Sequence, residues 1–265
     1  MTCFCTIASG SSGNAALLSD GGTHLLIDMG ISCRRICQAL GQLGLRPDDL
    51  SAVLITHEHA DHISGLATYI KKYRTPILCT PGTARQLYYR LAGIGPLLCP
   101  IPMGMTTRRG DVDILPLPTS HDCGESAAFR LAATGGVLGY LTDTGYIPAE
   151  TAQALLGADL LVLESNHDVE MLRAGAYPFP LKQRVLGPQG HLSNAVAARF
   201  AADSALAGTS SIILAHLSKE NNTPQLALEA VGRELEAVGY TGALTVAPRD
   251  SLSEIHRLER VPCSE

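Results

Sequence analysis

The sequence is poor in charge, and it lacks a long apolar run, a basic leader and a paired-cysteine motif. Charged residues make up 17% of 265 and hydrophobic residues 46%, which excludes a disordered chain. The 26 Gly and 15 Pro are dispersed without a period, which excludes collagen-like and coiled-coil classes. No stretch approaches the roughly 18 apolar residues of a membrane span, and the N-terminal MTCFCTIASGSSGN carries no basic region. The expectation is a cytoplasmic protein without a membrane partner. Eight cysteines (Cys3, Cys5, Cys33, Cys37, Cys79, Cys99, Cys123 and Cys263) contain no CxxC pair and suit reduced thiols rather than a disulfide framework. A net charge of −5 argues against non-specific coating of nucleic acid and leaves a local basic groove open.

What is present is alternation. Strand-like runs span Cys3 to Ala8, Ala15 to Ser19, His24 to Asp28 and Ala52 to Thr56. Others follow at Asp113 to Leu117, Ala127 to Ala132, Val137 to Thr142, Leu160 to Glu164, Ile212 to Ala215 and Ala243 to Ala247. Helices are expected from Ser32 to a stop at Gly44, from Thr80-Pro81 to near Gly93, from Ser193 to Leu206 and from Thr223 to Val238. In the last, Leu228, Val231, Leu235 and Val238 share one apolar face. With no linker, composition break or repeat, the chain reads as a single α/β domain over residues 1–265, sheets inside and helices outside.

The densest chemistry is Thr56-His57-Glu58-His59-Ala60-Asp61-His62, in a loop just past a buried strand, where imidazoles and a carboxylate can aim at one point. Asp28, His121, Asp143 and His216 each follow an apolar run, so they converge if the strand tips share an edge. Three further segments are two-sided. The loop Ser9-Gly10-Ser11-Ser12-Gly13-Asn14 could wrap a phosphate oxygen with its NH groups, and reads equally well as a flexible hairpin. His191, in Gly190-His191-Leu192-Ser193-Asn194, sits at a helix start that favours an anion, or simply packs beside a cap. Glu164, His167 and Asp168 close a buried strand as functional groups or as a structural network.

The His-x-His-x-Asp-His run with later His, Asp and His at strand ends resembles the metallo-β-lactamase superfamily along nearly the whole chain. The resemblance implies an αββα four-layer sandwich. It also implies a first metal on His57, His59 and His121, a second on Asp61, His62 and His216, Asp143 bridging both, and Asp28 supporting a ligand from behind. ASGSSGN, LESNHD, GHLSN, AHLSKENNTP and VAPRD resemble the phosphodiesterase branch, the YycJ/WalJ-like subgroup most closely. No tRNase Z flexible arm is recognisable, and the interval from Asp143 to His191 is too short for a β-CASP insertion.

What the resemblance implies is a dinuclear metal-dependent hydrolase, zinc first with manganese or iron compatible. It would be a phosphodiesterase or nuclease of 5′-exonuclease type, with DNA favoured over RNA. Asp61, His191 and Glu164 would be catalytic, and Ser11, Ser12, Gly13, Asn14, His167, Ser193 and Asn194 would bind substrate. Lys71, Lys72, Arg74, Arg108, Arg109, Lys182 and Arg184 are candidate backbone contacts. The alternative is a small-molecule hydrolase of the same fold, cleaving a thioester, lactone or cyclic phosphodiester in a closed pocket. Oligomeric state stays open, a homo-oligomer included.

Overall fold

The computed structural model describes residues 1–258; Cys263 lies outside the described residues, and the other seven cysteines are free thiols. The first half comprises β1 (Thr2–Ala8), β2 (Ala15–Asp20), β3 (Thr23–Ile27), α1 (Cys33–Gln42), β4 (Ala52–Leu54), α2 (Ala60–Ile63), α3 (Leu66–Tyr69), β5 (Ile77–Cys79), α4 (Pro81–Arg90) and β6 (Leu98–Pro100). There follow β7 (Thr107–Arg109), β8 (Val112–Pro118), β9 (Ala127–Ala133), β10 (Gly136–Leu141), α5 (Ala149–Leu155), β11 (Leu160–Glu164), α6 (Val169–Ala174) and α7 (Phe179–Leu186). The chain ends with α8 (Asn194–Leu206), β12 (Ser211–Ala215), α9 (Pro224–Ala237), β13 (Ala243–Val246) and β14 (His256–Leu258).

Two seven-stranded sheets result, ordered β14-β1-β2-β3-β4-β5-β6 and β13-β12-β11-β10-β9-β8-β7. In each, antiparallel hairpins at one side pass into parallel pairs at the other, from β3 to β6 and from β10 to β13. Side-chain alternation explains the layering. Leu25, Ile27, Ala52 and Leu54 face the second sheet, where Phe129, Leu131, Leu160 and Val162 meet them. Leu26 and Val53 face outward under α1 with Ile36 and Leu40. Leu161 and Leu163 face the other way, under Ala197, Ala201, Val231 and Leu235 of α8 and α9. Strands buried on both faces need continuous apolar runs, which is why LLI and LLVLE show no polar alternation. The result is the expected αββα sandwich.

Helix ends follow local chemistry. Ser32 and Thr80 cap α1 and α4, and Thr223 with Pro224 starts α9. α4 stops at Arg90, short of Gly93, because Leu91 already has extended backbone (φ −123°, ψ 100°). The buried face of α9 is Ala227, Val231 and Leu235, with Leu228 and Val238 half-buried at its flank. The short strands β5 and β6, the edge strands β7 and β14, and helices α5 to α7 add to the elements expected. No described helix is long and apolar enough to cross a membrane.

One end of the sandwich is stapled. Asp20 Oδ1 accepts from Thr2 Oγ1 (2.8 Å) and Thr134 Oγ1 (2.6 Å), and Oδ2 accepts from Thr134 N (2.7 Å), joining β2 to the β9–β10 turn of the opposite sheet. Although burial opposes ionisation, the Thr134 and Thr2 donors hold the Asp20 carboxyl below its ordinary 3.8. Its contribution is therefore complete above the ordinary value and is lost as pH falls through the depressed one. Asp20→Ala should lower unfolding free energy at neutral pH by about 2 kcal/mol. Urea unfolding will show a lower midpoint at similar slope; an unchanged midpoint would show that the staple contributes nothing.

Candidate metal centre

The opposite end of the sandwich is where β3, β10, β11 and β12 all finish, followed by Asp28, Asp143, the terminal Glu164 and His216. Asp28, Asp143 and His216 adopt left-handed backbone, with φ of 60°, 57° and 57°, and are the non-glycine residues that do so among those described. Such a residue turns the chain abruptly off its strand, and Asp and His tolerate the region better than most. Each turn costs roughly 1–3 kcal/mol, a strain the surrounding structure must hold.

The loop after β4 delivers His57, His59, Asp61 and His62. It is held by Met29 N donating to the His62 carbonyl and Asn14 N donating to the Asp61 carbonyl, each at 2.8 Å. A side chain at Gly30 would collide with the Asp61 carbonyl, so that approach requires glycine. Donor atoms of His57, His59 and His121 lie within 4.8 Å of one another, as do those of Asp61, His62 and His216. His57, His62 and Asp143 make a third such group, and Asp143, Glu164, His191 and His216 a fourth.

What aims the rings is the partner behind each one. His62 Nδ1 meets Asp28 Oδ2 at 2.8 Å, and His216 Nδ1 meets Glu164 Oε1 at 2.9 Å. His121 Nδ1 donates to the Gly190 carbonyl at 3.2 Å, and His57 Nδ1 lies 3.1 Å from Thr56 Oγ1. His59 is reversed: Nε2 donates to the Asp122 carbonyl at 3.2 Å, leaving Nδ1 3.2 Å from His121 Nε2. A ligating imidazole characteristically has its other nitrogen fixed in this way.

The inward atoms also suit a cation. His57 Nε2, His216 Nε2 and Asp143 Oδ2 are buried without a hydrogen-bond partner among the described residues, a costly state unless a bound ion meets them. Burial first, and then the neighbouring imidazoles, push His57 well below its ordinary value, and burial also lowers His121, so both keep a lone pair to donate. Burial alone would depress His216, but Asp143, Asp61 and Glu164 push it up to about 10. Asp61 is likewise held well below the carboxylate range by His216 and His62 against the effect of burial. The His and Asp clusters are compatible with a metal-binding site.

The remaining expected site residues divide. Asn14 Nδ2 lies 3.1 Å from His62 Nε2, at the cluster rather than out in the loop. Ser11 and His191 line a cavity of about 160 Å³ beside His121. Arg184 also lines it, whereas Arg108 is paired with Asp111 and Asp113, and Lys182 donates to the Arg173 carbonyl. Ser12 is exposed and outside that lining, and Gly13, buried at φ 152°, packs against Gly30.

Four further expected site residues lie away from the cavity. Glu164 is fully buried, accepting from His216 and His191 through Oε1 and from Thr144 N and Leu192 N through Oε2. It holds two imidazoles and does not line the cavity. Ser193 caps α8, Asn194 bonds with Ser165 and Asn222, and His167 is 1% exposed, so none of the three faces the cavity. Asp122 and the buried amides Asn166, Asn221 and Asn222 have no role assigned from the sequence: the amides fall inside LESNHD and AHLSKENNTP, but no spacing marks them individually.

The family model for the beta-lactamase superfamily domain matches residues 23–217. The chain belongs to that superfamily. Its relatives include "Exodeoxyribonuclease YycJ" of Bacillus anthracis, 36% identical over 238 residues covering 89% of this chain and 90% of that one. "Exodeoxyribonuclease WalJ" of Streptococcus pneumoniae is 39% identical over 224 residues, 83% of each chain. Among solved structures, the metallo-beta-lactamase fold protein YhfI from Bacillus subtilis superposes with a TM-score of 0.70 at 20% identity, covering 96% of this chain and 100% of that one, a likeness of fold. This superfamily member is a metal-dependent hydrolase of the metallo-β-lactamase fold.

Burial holds the His167 imidazole down to about 4 from its ordinary 6.5, so the folded chain keeps it neutral where the unfolded chain would protonate it. Its contribution to stability is complete above pH 6.5 and falls toward pH 4. In His167→Leu the rise in unfolding free energy across that interval should shrink by roughly 3 kcal/mol. Urea titrations at several pH values measure it; identical pH slopes in variant and wild type would contradict the placement.

Proposed function

We propose that residues 1–265 form one hydrolase domain, a dinuclear metal-dependent phosphodiesterase that removes nucleotides from the 5′ end of DNA in the cytoplasm. The observation that carries this reading is the pair of imidazoles hung on one buried carboxylate. Glu164 Oε1 holds His216 Nδ1 at 2.9 Å and His191 Nδ1 at 2.7 Å. His216 belongs to the ligand cluster, while His191, with 21% of its side chain exposed, opens on the cavity. A ligand and a proton donor are thereby fixed relative to each other, as cleavage of a phosphodiester with a poor leaving group requires.

Divalent ions on His57, His59 and His121, and on Asp61, His62 and His216 with Asp143 between them, would make water nucleophilic at neutral pH and offset the phosphate charge. Zinc suits the imidazole and carboxylate donors, and manganese or iron is accepted by the same set. The chain's own residues do the rest. Asp61, with 24% of its side chain exposed, accepts a hydrogen bond from the attacking water and orients it, the water's proton passing to solvent. As the new O–P bond forms and the P–O3′ bond breaks, His191 Nε2 gives its proton to O3′. Asp28 and Glu164 keep His62, His216 and His191 from rotating throughout.

The preference for DNA is supported by the exodeoxyribonuclease names of the relatives, and the 5′ polarity by His191 lining a small cavity that would receive the leaving group. The test is an end-labelled panel of single- and double-stranded DNA and RNA with zinc- or manganese-loaded protein. Shortening of DNA from the 5′ end is expected. His191→Ala should lower kcat by about 10²- to 10⁴-fold with metal content retained, whereas His57→Ala should lose metal and activity together. No metal-dependent cleavage by wild type, or full activity in His191→Ala, would refute the reading.

A further inference from the structure

Residues 62–110 contain seven basic side chains and no Asp or Glu, in a chain of net charge −5. Arg108 is paired with Asp111 and Asp113, whereas Lys71, Lys72, Arg74, Arg85 and Arg90 are exposed and form no ion pair among the described residues. A stretch of one sign is an electrostatic footprint for a polyanion. Within it, α4 combines Arg85 and Arg90 with the two most exposed tyrosines among the described residues, Tyr88 at 62% and Tyr89 at 74%.

This helix adjoins the ligand cluster. Arg90 Nη1 donates to the Glu58 carbonyl at 2.8 Å, inside the His57-Glu58-His59 run. Gln86 packs over the loop that follows His121, where a Cβ on Gly124 would lie 3.0 Å from Gln86 Cγ. Tyr88 occupies the other flank, its ring against Gly95. Between the flanks Arg85 and Tyr89 stand one turn apart on the outward crest, with Ala84 and Leu87 buried beneath. Moving away from the metal ligands, the helix therefore presents Arg90, then the Tyr89 ring, then Arg85, then Tyr88.

The tyrosine rings meet edge to face, with centroids 5.7 Å apart and planes at 79°, which leaves at least one face of Tyr89 open. Carboxylates of the adjoining segments are already engaged: Glu125 Oε2 accepts from Gly82 N at 2.6 Å, Glu58 Oε1 from Gly124 N at 2.8 Å and Asp122 Oδ2 from Arg184 Nε at 2.6 Å. An open ring between two guanidinium groups matches a strand whose bases are unpaired. A duplex keeps its base faces stacked and shows mainly phosphate to such a surface, for which cations alone suffice. A second copy of this chain set on the same face would oppose arginine to arginine.

We propose that the α4 face of Arg85, Tyr89 and Arg90 is a platform for single-stranded nucleic acid. An unpaired base stacks on Tyr89, Arg85 and Arg90 meet the phosphates on either side, and Tyr88 braces the ring. The platform lies outside both the ligand cluster and the His191 cavity. It rests on the nuclease reading above and adds the form of substrate held: a strand unpaired where it approaches the metals. Every base has a π-face, so the platform is indifferent to sequence.

Fluorescence anisotropy of metal-loaded protein with labelled, phosphorothioate-linked oligodeoxyadenylate tests the platform apart from turnover. Tyr89→Ala should weaken binding about 10-fold, and Tyr89→Phe should stay within about 2-fold of wild type. An abasic strand of the same length should bind wild type and Tyr89→Ala alike. Arg85→Ala should reduce the slope of log affinity against log salt by about 0.7, the value of one phosphate contact on a single strand, while Tyr89→Ala leaves that slope unchanged. Equal affinity of wild type and Tyr89→Ala for the adenylate strand, or an equal loss on the abasic strand, overturns the platform even if DNA is shortened normally. Tyr89-dependent binding by a protein that cleaves no nucleic acid leaves the platform standing and overturns the nuclease reading instead.

Discussion

The site depends on carboxylates that never reach its centre. Asp28 and Glu164 are fully buried behind His62, His216 and His191, each gripping Nδ1 and turning Nε2 toward the reaction volume. An imidazole on a loop is otherwise free to rotate and to choose its tautomer, and fixing both makes it a usable ligand or proton donor. The carboxylates are in turn satisfied: Asp28 by Thr56 N and Oγ1, Glu164 by two backbone NH groups. Loss of either leaves a ring unaimed and a buried cluster unbalanced.

The fold sets the place of this arrangement. Parallel strands in both sheets end at one edge, and left-handed turns at Asp28, Asp143 and His216 convert a strand end into an inward side chain. The opposite edge is closed by the Asp20 staple, which involves none of the site residues. Chemistry and fastening thus occupy different ends of the same strands, so strain at one end is held by packing along the whole length.

Much of this was legible in the sequence, for a physical reason. A strand buried on both faces must be apolar throughout, so the first polar residue after LLI, VLGYLT or SIILA marks where it emerges, and the cluster assembles from those emergences. Cap signatures at Ser32, Thr80, Ser193 and Thr223 fixed helix starts within a residue. The segment through α6 and α7 was invisible because such short helices carry little periodicity. Glu164 and His167 were read as functional because ionisable groups beside an apolar strand are costly to bury. The cost is met by four hydrogen bonds at Glu164 and by neutrality at His167. No pattern in one chain distinguishes a group aimed at a substrate from one aimed at a neighbouring ring.

The central claim is that these held imidazoles make two adjacent cation positions. Anomalous diffraction from crystals of the zinc-loaded protein, collected across the zinc edge, measures it directly. The account predicts two peaks, one among His57, His59 and His121 and one among Asp61, His62 and His216, with Asp143 reaching both. A single peak, or metal bound away from these residues, would contradict it.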